Sequence, residues 1–376
     1  MAQLSFWDKS LKAGVEKLLA NVHTGQLTVT YPDGSRTVAG KSDKINAQVQ
    51  VKSMRGIQRI FTAGGGIGLA EAYMNRELDT PNLYNLLKFA LINTEVYDGS
   101  ETRRPLREAA MRMYHWMRSN TKAGSKKNIA AHYDLGNDFY QLWLDPSMTY
   151  SSGVYAPGMT DLSASQDAKY AAISEAGQIK PDSHVLEIGC GWGGFAEFAA
   201  KAYGCKVTGI TISQEQFDFA AERIQREGLN EKVELRMQDY RDVKPQSFDR
   251  AVSIEMFEAV GEKYWPTYFS KVKEVLKPGG MASLQIITIG DQFYQAYRDS
   301  TDFIQQYIFP GGMLPSPSKL REQTDQAGLS WVEDKGYADS YAKTLLAWND
   351  RFQAAWPDIQ ALRSNFDERF RRMWEY

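Results

Sequence analysis

Apolar residues follow two alternating spacings in the second half of the chain, and this alternation predicts its fold. The short runs at 184–188 and 206–210 indicate buried strands. Helical spacing follows each run, at 195–203 and again after Ser213-x-x-Gln216, a capping-box pair. The other predicted elements are strands at 233–237, 250–254 and 281–287 and a helix at 265–276. This order predicts an α/β fold with a doubly wound, Rossmann-like parallel sheet.

The first hundred residues follow a different pattern. Apolar residues at helical spacing, with lysines between them, predict an amphipathic helix that either docks on the protein or lies on a membrane surface. These residues are Phe6, Leu11, Val15, Leu18 and Leu19, with Lys9, Lys12 and Lys17. The alternating run at 25–34 ends in Pro-Asp-Gly and predicts a hairpin. We therefore expect a smaller mixed α+β domain over 1–100, with lipid docking or homodimer formation as its candidate roles.

Two further boundaries follow from composition. Residues 101–130 are rich in arginine and lysine and read as a basic linker, which either rests on anionic head groups or forms a solvated helix face. Residues 131–376 form the second predicted domain, which contains the alternating strands and helices. Its aromatic segment at 293–309 either walls an apolar pocket or is ordinary core.

Overall charge and cysteine usage exclude several classes of protein. Lysine and arginine total 44 against 46 acidic residues, so no polycationic surface indicates nucleic-acid binding. Hydrophobic residues make up 43% of the chain, enough for a large core, yet no apolar run approaches the roughly 18 residues of a membrane span. Cys190 and Cys205 suggest a reducing cytoplasm rather than a disulfide framework. No metal site is predicted.

A glycine-rich turn between the first strand and helix indicates a nucleotide-like cofactor. The pattern Glu-x-Gly-x-Gly-x-Gly starts at Glu187, and its spacing differs from that of a dinucleotide fingerprint. A carboxylate two residues before Gly189 suits a ligand with an amino group and a sulfonium better than one with a pyrophosphate. Gln238 and Asp239, after the third strand, supply polar groups for an adenine edge. This favours S-adenosylmethionine (SAM), with another nucleotide as the alternative.

A series of motifs in this order and spacing resembles the cyclopropane-fatty-acid synthase family over roughly residues 60–376. The motifs include 132–138, 148–151, 187–194, 238–241, 256–258 and 307–311. The resemblance implies SAM as methyl donor and the cis double bond of a phospholipid acyl chain as acceptor. It implies that 131–376 is the methyltransferase domain, with insertions that line an acyl-chain pocket. It also implies a cytoplasmic enzyme, peripheral at the inner membrane surface. The positions that match SAM contacts are Tyr150, Ser151, Gly189, Gly191, Thr211, Gln216, Gln238 and Asp239. Amine N-methyltransferases share much of this core and are the alternative function.

The acceptor half departs from the family. Cyclopropane synthases hold a bicarbonate ion with a cysteine, a glutamate, a histidine and a late tyrosine. Here the matching positions are Ser152, Glu258, Ile287 and Tyr341, so two of the four side chains have changed. Losing one hydrogen-bond donor costs an anion roughly 1–3 kcal/mol. The resemblance therefore implies a bicarbonate site that is weakened or lost.

Glu255 stands where the family usually has a small residue. It ends the fourth predicted strand, and carboxyl ends of strands in such sheets face the ligand crevice. Our hypothesis is that Glu255, together with Glu258, removes a proton in place of bicarbonate. The alternative is that Glu255 contacts SAM or caps a helix. A base at another carbon would give a methyl-branched alkene rather than a cyclopropane ring.

Overall fold

The computed structural model describes residues 4–41, 45–94 and 135–376. They form two compact units, one of residues 4–94 with 363–376 and one of residues 135–362. The basic segment at 101–130 and the first residues of the motif at 132–138 lie outside the described residues. No helix among the described residues is long and apolar enough to cross a bilayer.

The first unit contains a mixed sheet and confirms the predicted hairpin. Strands β1 and β2 pair antiparallel through the turn, where the Gly34 amide donates to the Tyr31 carbonyl at 2.9 Å. The sheet order is β2-β1-β3-β4, with β1 and β3 parallel. The strands are β1 (Gln26–Thr30), β2 (Arg36–Gly40), β3 (Asn46–Val51) and β4 (Leu78–Asp79). The helices are α1 (Phe6–Leu19), α2 (Met54–Ala63), α3 (Gly65–Met74) and α4 (Leu83–Ile92).

The predicted amphipathic helix is α1, and only part of its apolar face is buried in the first unit. Ser5 and Asp8 form a capping box at its start. Val15 and Leu19 are buried in the core of the first unit, as expected from their spacing. The same unit contains the last helix of the chain, α14 (Glu368–Glu375), whose Arg372 donates to the carbonyl oxygens of Tyr73 and Leu78. This helix lies within 131–376, the range predicted for the second domain, but belongs to the first unit.

The second unit contains the predicted parallel sheet, in the order β7-β6-β5-β8-β9. The strands are β5 (His184–Ile188), β6 (Lys206–Thr211), β7 (Val233–Met237), β8 (Phe248–Ile254) and β9 (Leu276–Gln285). All neighbouring strands pair parallel. The helices are α5 (Asn137–Gln141), α6 (Leu162–Ala176), α7 (Gly194–Ala202), α8 (Gln214–Arg226), α9 (Trp265–Val275), α10 (Asp291–Asp299), α11 (Pro317–Gln326), α12 (Ala338–Ala354) and α13 (Trp356–Leu362). The order reverses direction at β5, which gives a topological switch point between β5 and β8.

Strand β5 is buried on both faces, as a central parallel strand requires. Leu186 and Ile188 pack with Trp265 and the rest of α9 on one face. Val185 packs on the other face with α6 and α7. Because side chains alternate along a strand, Glu187 also points to the face that α6 covers.

The last strand begins earlier than the sequence pattern indicated. Pro-Gly-Gly at 278–280 predicted a turn before a strand at 281–287, but β9 starts at Leu276, directly after α9. Phe248 pairs with Leu276 and Arg250 with Met281, so the residues between Leu276 and Met281, which include Pro-Gly-Gly, form an irregularity in β9. Regular pairing with β8 therefore begins at Met281, the predicted start of the strand. Since β9 ends at Gln285, Ile287 lies in the loop at the carboxyl edge of the sheet.

Candidate active site

The glycine-rich turn follows β5 and is held in place by backbone bonds to β6. The amides of Gly189 and Cys190 both donate to the Ile210 carbonyl at 3.0 Å. Gly189 and Gly191 have φ values of 82° and 51°, a region that favours glycine. A Cβ on Gly189 would lie 2.7 Å from Cγ of Met256, whereas a Cβ on Gly191 would meet no atom within 4 Å. The turn therefore leaves space at Gly191 for a ligand to approach the backbone.

Glu187 places a carboxylate beneath this turn. Its side chain is 3% exposed, and Oε2 has no hydrogen-bond partner among the described residues. Burial raises the pKa of Glu187 to about 8, against the opposing effect of the Lys169 ammonium. An acceptor atom that is buried and unpaired indicates a ligand with a donor. The residues at this turn thus fit the cationic amino acid end of SAM.

The remaining predicted cofactor residues lie at the ends of the next two strands. Thr211 ends β6 and donates through Oγ1 to Oε1 of Gln216 at 3.0 Å. Gln216 therefore does not complete the predicted capping box, although Ser213 caps α8 as expected. The backbone amide of Gln238 donates to the Thr211 carbonyl, and both carboxylate oxygens of Asp239 accept from the Arg241 side chain. The carboxyl ends of β5, β6 and β7 thus bring these residues to one edge of the sheet.

The segment Tyr150-Ser151-Ser152 connects the donor and acceptor residues. The Tyr150 ring lies 5.2 Å from the Trp348 ring and 5.6 Å from the Trp143 ring. The Ser151 hydroxyl oxygen accepts a 2.6 Å hydrogen bond from Nζ of Lys169. The next residue, Ser152, donates its backbone amide to Oε1 of Glu255 at 2.9 Å. Two adjacent residues therefore join the predicted SAM side to the predicted acceptor side.

Glu255 is held by two donors at the end of β8. Besides Ser152, the side chain of Gln285 donates to the same Oε1 at 2.8 Å. The φ of Glu255 is 46°, which is uncommon for a residue with a side chain and directs it out of the strand. Burial raises the pKa of Glu255, while the Ser152 amide, the Lys169 charge and Gln285 oppose that rise. The Glu255 carboxylate is thus bonded to Ser152 and Gln285 rather than to a helix N-terminus.

Glu258 has a different environment. Its Oε1 accepts a hydrogen bond from the backbone amide of Ile287 at 2.5 Å, and its buried Oε2 has no partner among the described residues. Burial raises the pKa of Glu258 to about 8, and the negative charge of Glu255 adds to the rise. The pKa of Tyr341 is raised by burial and then by the charges of Glu255 and Glu258. The structure therefore brings three of the predicted catalytic residues into electrostatic contact, with Ser152 bonded to Glu255.

Ile287 contributes only backbone to this group. Its amide is already bonded to Glu258, and its side chain has no polar atom. The Ser152 hydroxyl donates to the Gly153 carbonyl at 3.1 Å. Neither Ser152 nor Ile287 therefore offers an anion a side-chain donor that is not already bonded. This agrees with a bicarbonate site that is weakened or lost, which remains a prediction.

The aromatic segment at 293–309 divides between core and site. The Tyr294 hydroxyl donates to Glu262, and the hydroxyl of Tyr297 accepts from Gln305 and from the Leu314 amide. The Phe309 ring reaches the Tyr150 ring at 6.3 Å. Residues Ile304–Ile308 form a π-helix, a type of turn found often at functional sites. Within this segment the Phe309 ring therefore lies against Tyr150, a predicted cofactor residue.

Two polar residues of this site were not predicted. Lys169 lies on the buried face of α6, and Gln285 is the last residue of β9. The available signal was the pair Gln166 and Lys169, two polar residues on the helical stripe that includes Leu162, Tyr170 and Ile173. Polar residues on an apolar stripe are buried with a partner, and the partner here is Ser151.

Comparison with known proteins decides the family. The profile of mycolic acid cyclopropane synthetase matches residues 120–376. The chain belongs to this family. A tuberculostearic acid methyltransferase of Mycobacterium tuberculosis is 35% identical over 368 residues, which cover 93% of this chain and 82% of that protein. The cyclopropane-fatty-acyl-phospholipid synthase of Escherichia coli is 39% identical over 337 residues, which cover 88% of this chain and 82% of that protein.

Solved structures agree with the family assignment. The crystal structure of a mycolic acid cyclopropane synthase in complex with S-adenosylhomocysteine (SAH) and CTAB is 28% identical, with a TM-score of 0.61. The matched region covers 66% of this chain and 91% of the chain in that structure. Membership of the cyclopropane synthetase family confirms the predicted fold class and the predicted type of enzyme, a SAM-dependent methyltransferase. The roles of individual residues remain proposals.

The pKa of Glu187 leads to a pH prediction for donor binding. With a pKa of about 8 in the free protein, Glu187 is mostly protonated at pH 7, and a cationic ligand favours its ionised form. Binding therefore releases a proton below pH 8. We expect SAM affinity to rise from pH 6 to pH 8, by up to about tenfold per unit, and then to level off. Isothermal titration calorimetry in buffers of different ionisation enthalpy measures both the affinity and the released proton. A flat affinity over this range contradicts the assignment.

Proposed function

We propose that this enzyme transfers the methyl group of SAM to the cis double bond of a phospholipid acyl chain. The observation that carries the proposal is the group of Glu255, Glu258 and Tyr341, in which Glu255 accepts from Ser152 and the adjacent Ser151, a predicted SAM contact, accepts from Lys169. Met256, which follows Glu255, lies against Gly189 of the glycine turn. Two relatives are named for fatty acyl substrates, which supports a lipid acceptor. Methylation of an amine, the alternative function, needs no resident base for a carbocation.

The chemistry explains why an acidic group belongs there. When bound, SAM supplies an electrophilic methyl group. An alkene is a weak nucleophile, so the protein must align it closely with that methyl group. The π electrons of the alkene form the new carbon–carbon bond as the carbon–sulfur bond breaks, and a carbocation remains on the acyl chain. The cation then loses a proton to a base within a site that excludes water.

Glu255 is the better placed base of the two carboxylates. Its Oε1 accepts two hydrogen bonds and the Lys169 charge favours the ionised form, whereas Glu258 has one backbone donor and a pKa of about 8. At neutral pH we assign the negative charge to Glu255 and a proton to Glu258. Removing the proton from the neighbouring chain carbon regenerates a double bond and gives a methyl-branched alkene. Removing it from the transferred methyl group instead closes a cyclopropane ring.

One incubation tests the proposed reaction. The protein is mixed with methyl-labelled SAM and vesicles of an unsaturated phospholipid, and the label is followed into the lipid fraction. Vesicles of the corresponding saturated phospholipid are the control, because they lack the acceptor double bond. We expect label only with the unsaturated lipid. Label in neither lipid, together with label in an added amine, would overturn the proposal in favour of an amine methyltransferase.

We further propose that α1 docks on the phospholipid surface. Phe6 and Trp7 at its start are 78% and 76% exposed, and their rings form an edge-to-face pair with centroids 6.1 Å apart. A groove of about 590 Å³ beside them is lined by Trp7, Leu11, Gly14, Met54 and Phe61, among others. Exposed aromatic rings with lysines nearby suit a membrane interface that carries anionic head groups.

Replacing both aromatic residues tests this docking. We expect Phe6→Ser with Trp7→Ser to weaken flotation with anionic vesicles by roughly tenfold or more, since burying one such ring contributes about 1.5–3 kcal/mol. Val38→Ser is the matched control, because Val38 is 58% exposed on β2 in the same unit. Unchanged flotation contradicts the docking surface. If the double substitution changes only the molecular mass measured by sedimentation, α1 belongs to a homodimer interface instead.

A further inference from the structure

Lys169 is a buried cation that the described reaction does not use directly. The residue is 1% exposed. Nζ donates to Oγ of Ser151 and to Oε1 of Gln166, each at 2.6 Å, and lies 4.7 Å from the centre of the Tyr170 ring. The structure records no ion pair within 4.0 Å between Lys169 and a carboxylate of the described residues. Burying a charged group costs free energy. A buried lysine therefore indicates that its charge or its hydrogen bonds have a role in the site.

The position of Lys169 connects the two halves of the site. Its ammonium fixes the hydroxyl of Ser151, a predicted SAM contact. The next residue, Ser152, donates its amide to Glu255. Burial lowers the pKa of Lys169 to about 7, while the charges of Glu255, Asp145 and Glu187 favour its protonated form, so Lys169 is linked electrostatically to the proposed base and to the carboxylate under the glycine turn.

We propose that Lys169 is a positioning residue that holds Ser151 in place and keeps Glu255 ionised, so that the base is ready when the carbocation forms. The inference rests on the proposed function, because it needs Glu255 to accept a proton. Lys169 itself touches neither the acyl chain nor the proton that is removed. Its effect reaches the reaction through the charge state of Glu255.

The direction of the expected pH effect follows from the groups around Glu255. Lys169 favours the carboxylate form, Glu258 carries the assigned proton because its pKa is raised to about 8, and the Tyr341 hydroxyl is neutral because the pKa of Tyr341 is raised. Ser152 and Gln285 donate hydrogen bonds but carry no charge. Removing the Lys169 charge therefore raises the pKa of Glu255. The enzyme then loses its base at a higher pH than the wild type.

Two uncharged substitutions of Lys169 test this inference. Lys169→Met keeps the volume of the side chain, and Lys169→Gln also keeps an N–H for Ser151. In both we expect the acid limb of the kcat–pH profile to move up by about one unit or more, the effect of losing one nearby opposite charge on a carboxylate. Lys169→Arg keeps the cation and should keep the acid limb near its wild-type position. An acid limb that stays in place in both uncharged variants would overturn the inference.

Gln166→Met is the matched control for packing. Gln166 occupies the same buried layer, accepts from Lys169 and donates to the Ser151 carbonyl, but it is neutral. A purely structural role of this layer predicts that Gln166→Met and Lys169→Met move the profile equally. Our inference predicts a shift for the two uncharged substitutions of Lys169 but not for Gln166→Met. Lys169→Gln keeps the test decisive if Lys169→Met fails to fold.

A double substitution separates this inference from the proposed function. In the Glu255→Gln background we expect Lys169→Met to cause no further loss of kcat, because the residue acts through Glu255. No label in lipid with the wild-type enzyme would contradict the proposed function. Label in lipid, a strong effect of Glu255→Gln and a full additional loss from Lys169→Met would contradict only the role of Lys169.

Discussion

Glu255→Gln is expected to lower the rate of lipid methylation by about 10²–10⁴-fold, the usual contribution of a positioned base. Glutamine has the same shape, so its carbonyl oxygen can still accept from the Ser152 amide and from Gln285. It cannot accept a proton from the carbocation. The measurement is the initial rate at which labelled methyl enters phospholipid at saturating SAM. Binding of SAH should change by less than about twofold, because Glu255 lies on the acceptor side.

The control for this substitution is Glu222→Gln. Glu222 is exposed on α8, away from the carboxyl edge of the sheet, so its neutralisation changes the net charge equally without touching the site. We expect the control to retain the wild-type rate. An unchanged rate and product in Glu255→Gln would remove this residue from the mechanism.

Glu187→Gln is expected to weaken SAM binding by roughly 10-fold to 100-fold, because a hydrogen bond to a charged group contributes about 1.5–3 kcal/mol. Oε2 of Glu187 is buried and has no partner among the described residues, so a bound donor gains the full interaction. The amide of glutamine offers no negative charge to the ligand. Calorimetry with SAH measures the loss directly, and Glu222→Gln again provides the comparison.

The same substitution also removes the pH dependence of binding. Without a carboxyl group at this position, the affinity of Glu187→Gln should no longer rise between pH 6 and pH 8. Wild-type affinity in this variant would mean that the ligand does not meet the carboxylate, and the donor site would have to be reassigned.

The donor half of the site could be predicted from the sequence because its signals are local. Glu187 and the glycines that follow it are adjacent in the chain, between a strand and a helix whose spacings are clear. The parallel sheet follows from the same alternation. Local signals were less exact where two elements meet, since β9 extends back to Leu276 although its regular pairing with β8 begins only after Pro-Gly-Gly, at Met281.

Gln216 shows how tertiary contacts override a local motif. The spacing from Ser213 predicts that its side chain returns to the start of α8. In the structure the side chain bonds instead to Thr211, at the end of the preceding strand. The helix still begins at the predicted residue, because Ser213 alone supplies the cap.

The acceptor half depends on contacts that join distant parts of the chain. Ser152 and Glu255 are 103 residues apart in sequence, and Gln285 and Ser152 are 133 apart. No periodic pattern encodes such a pairing. The resemblance identified Ser152, Glu258 and Tyr341 as members of one site, but the partners of Glu255 and the buried charge of Lys169 became visible only in three dimensions.

The central claim is that a carboxylate of this chain ends the reaction by removing a proton from the acyl chain itself, which leaves a methyl-branched alkene. The most direct test uses SAM with a fully deuterated methyl group and vesicles of a monounsaturated phospholipid, followed by mass spectrometry of the product. Our account predicts that all three deuterium atoms are retained and that the product still takes up hydrogen over a catalyst. Retention of two deuterium atoms in a product that takes up no hydrogen under mild conditions would show a cyclopropane ring and contradict it.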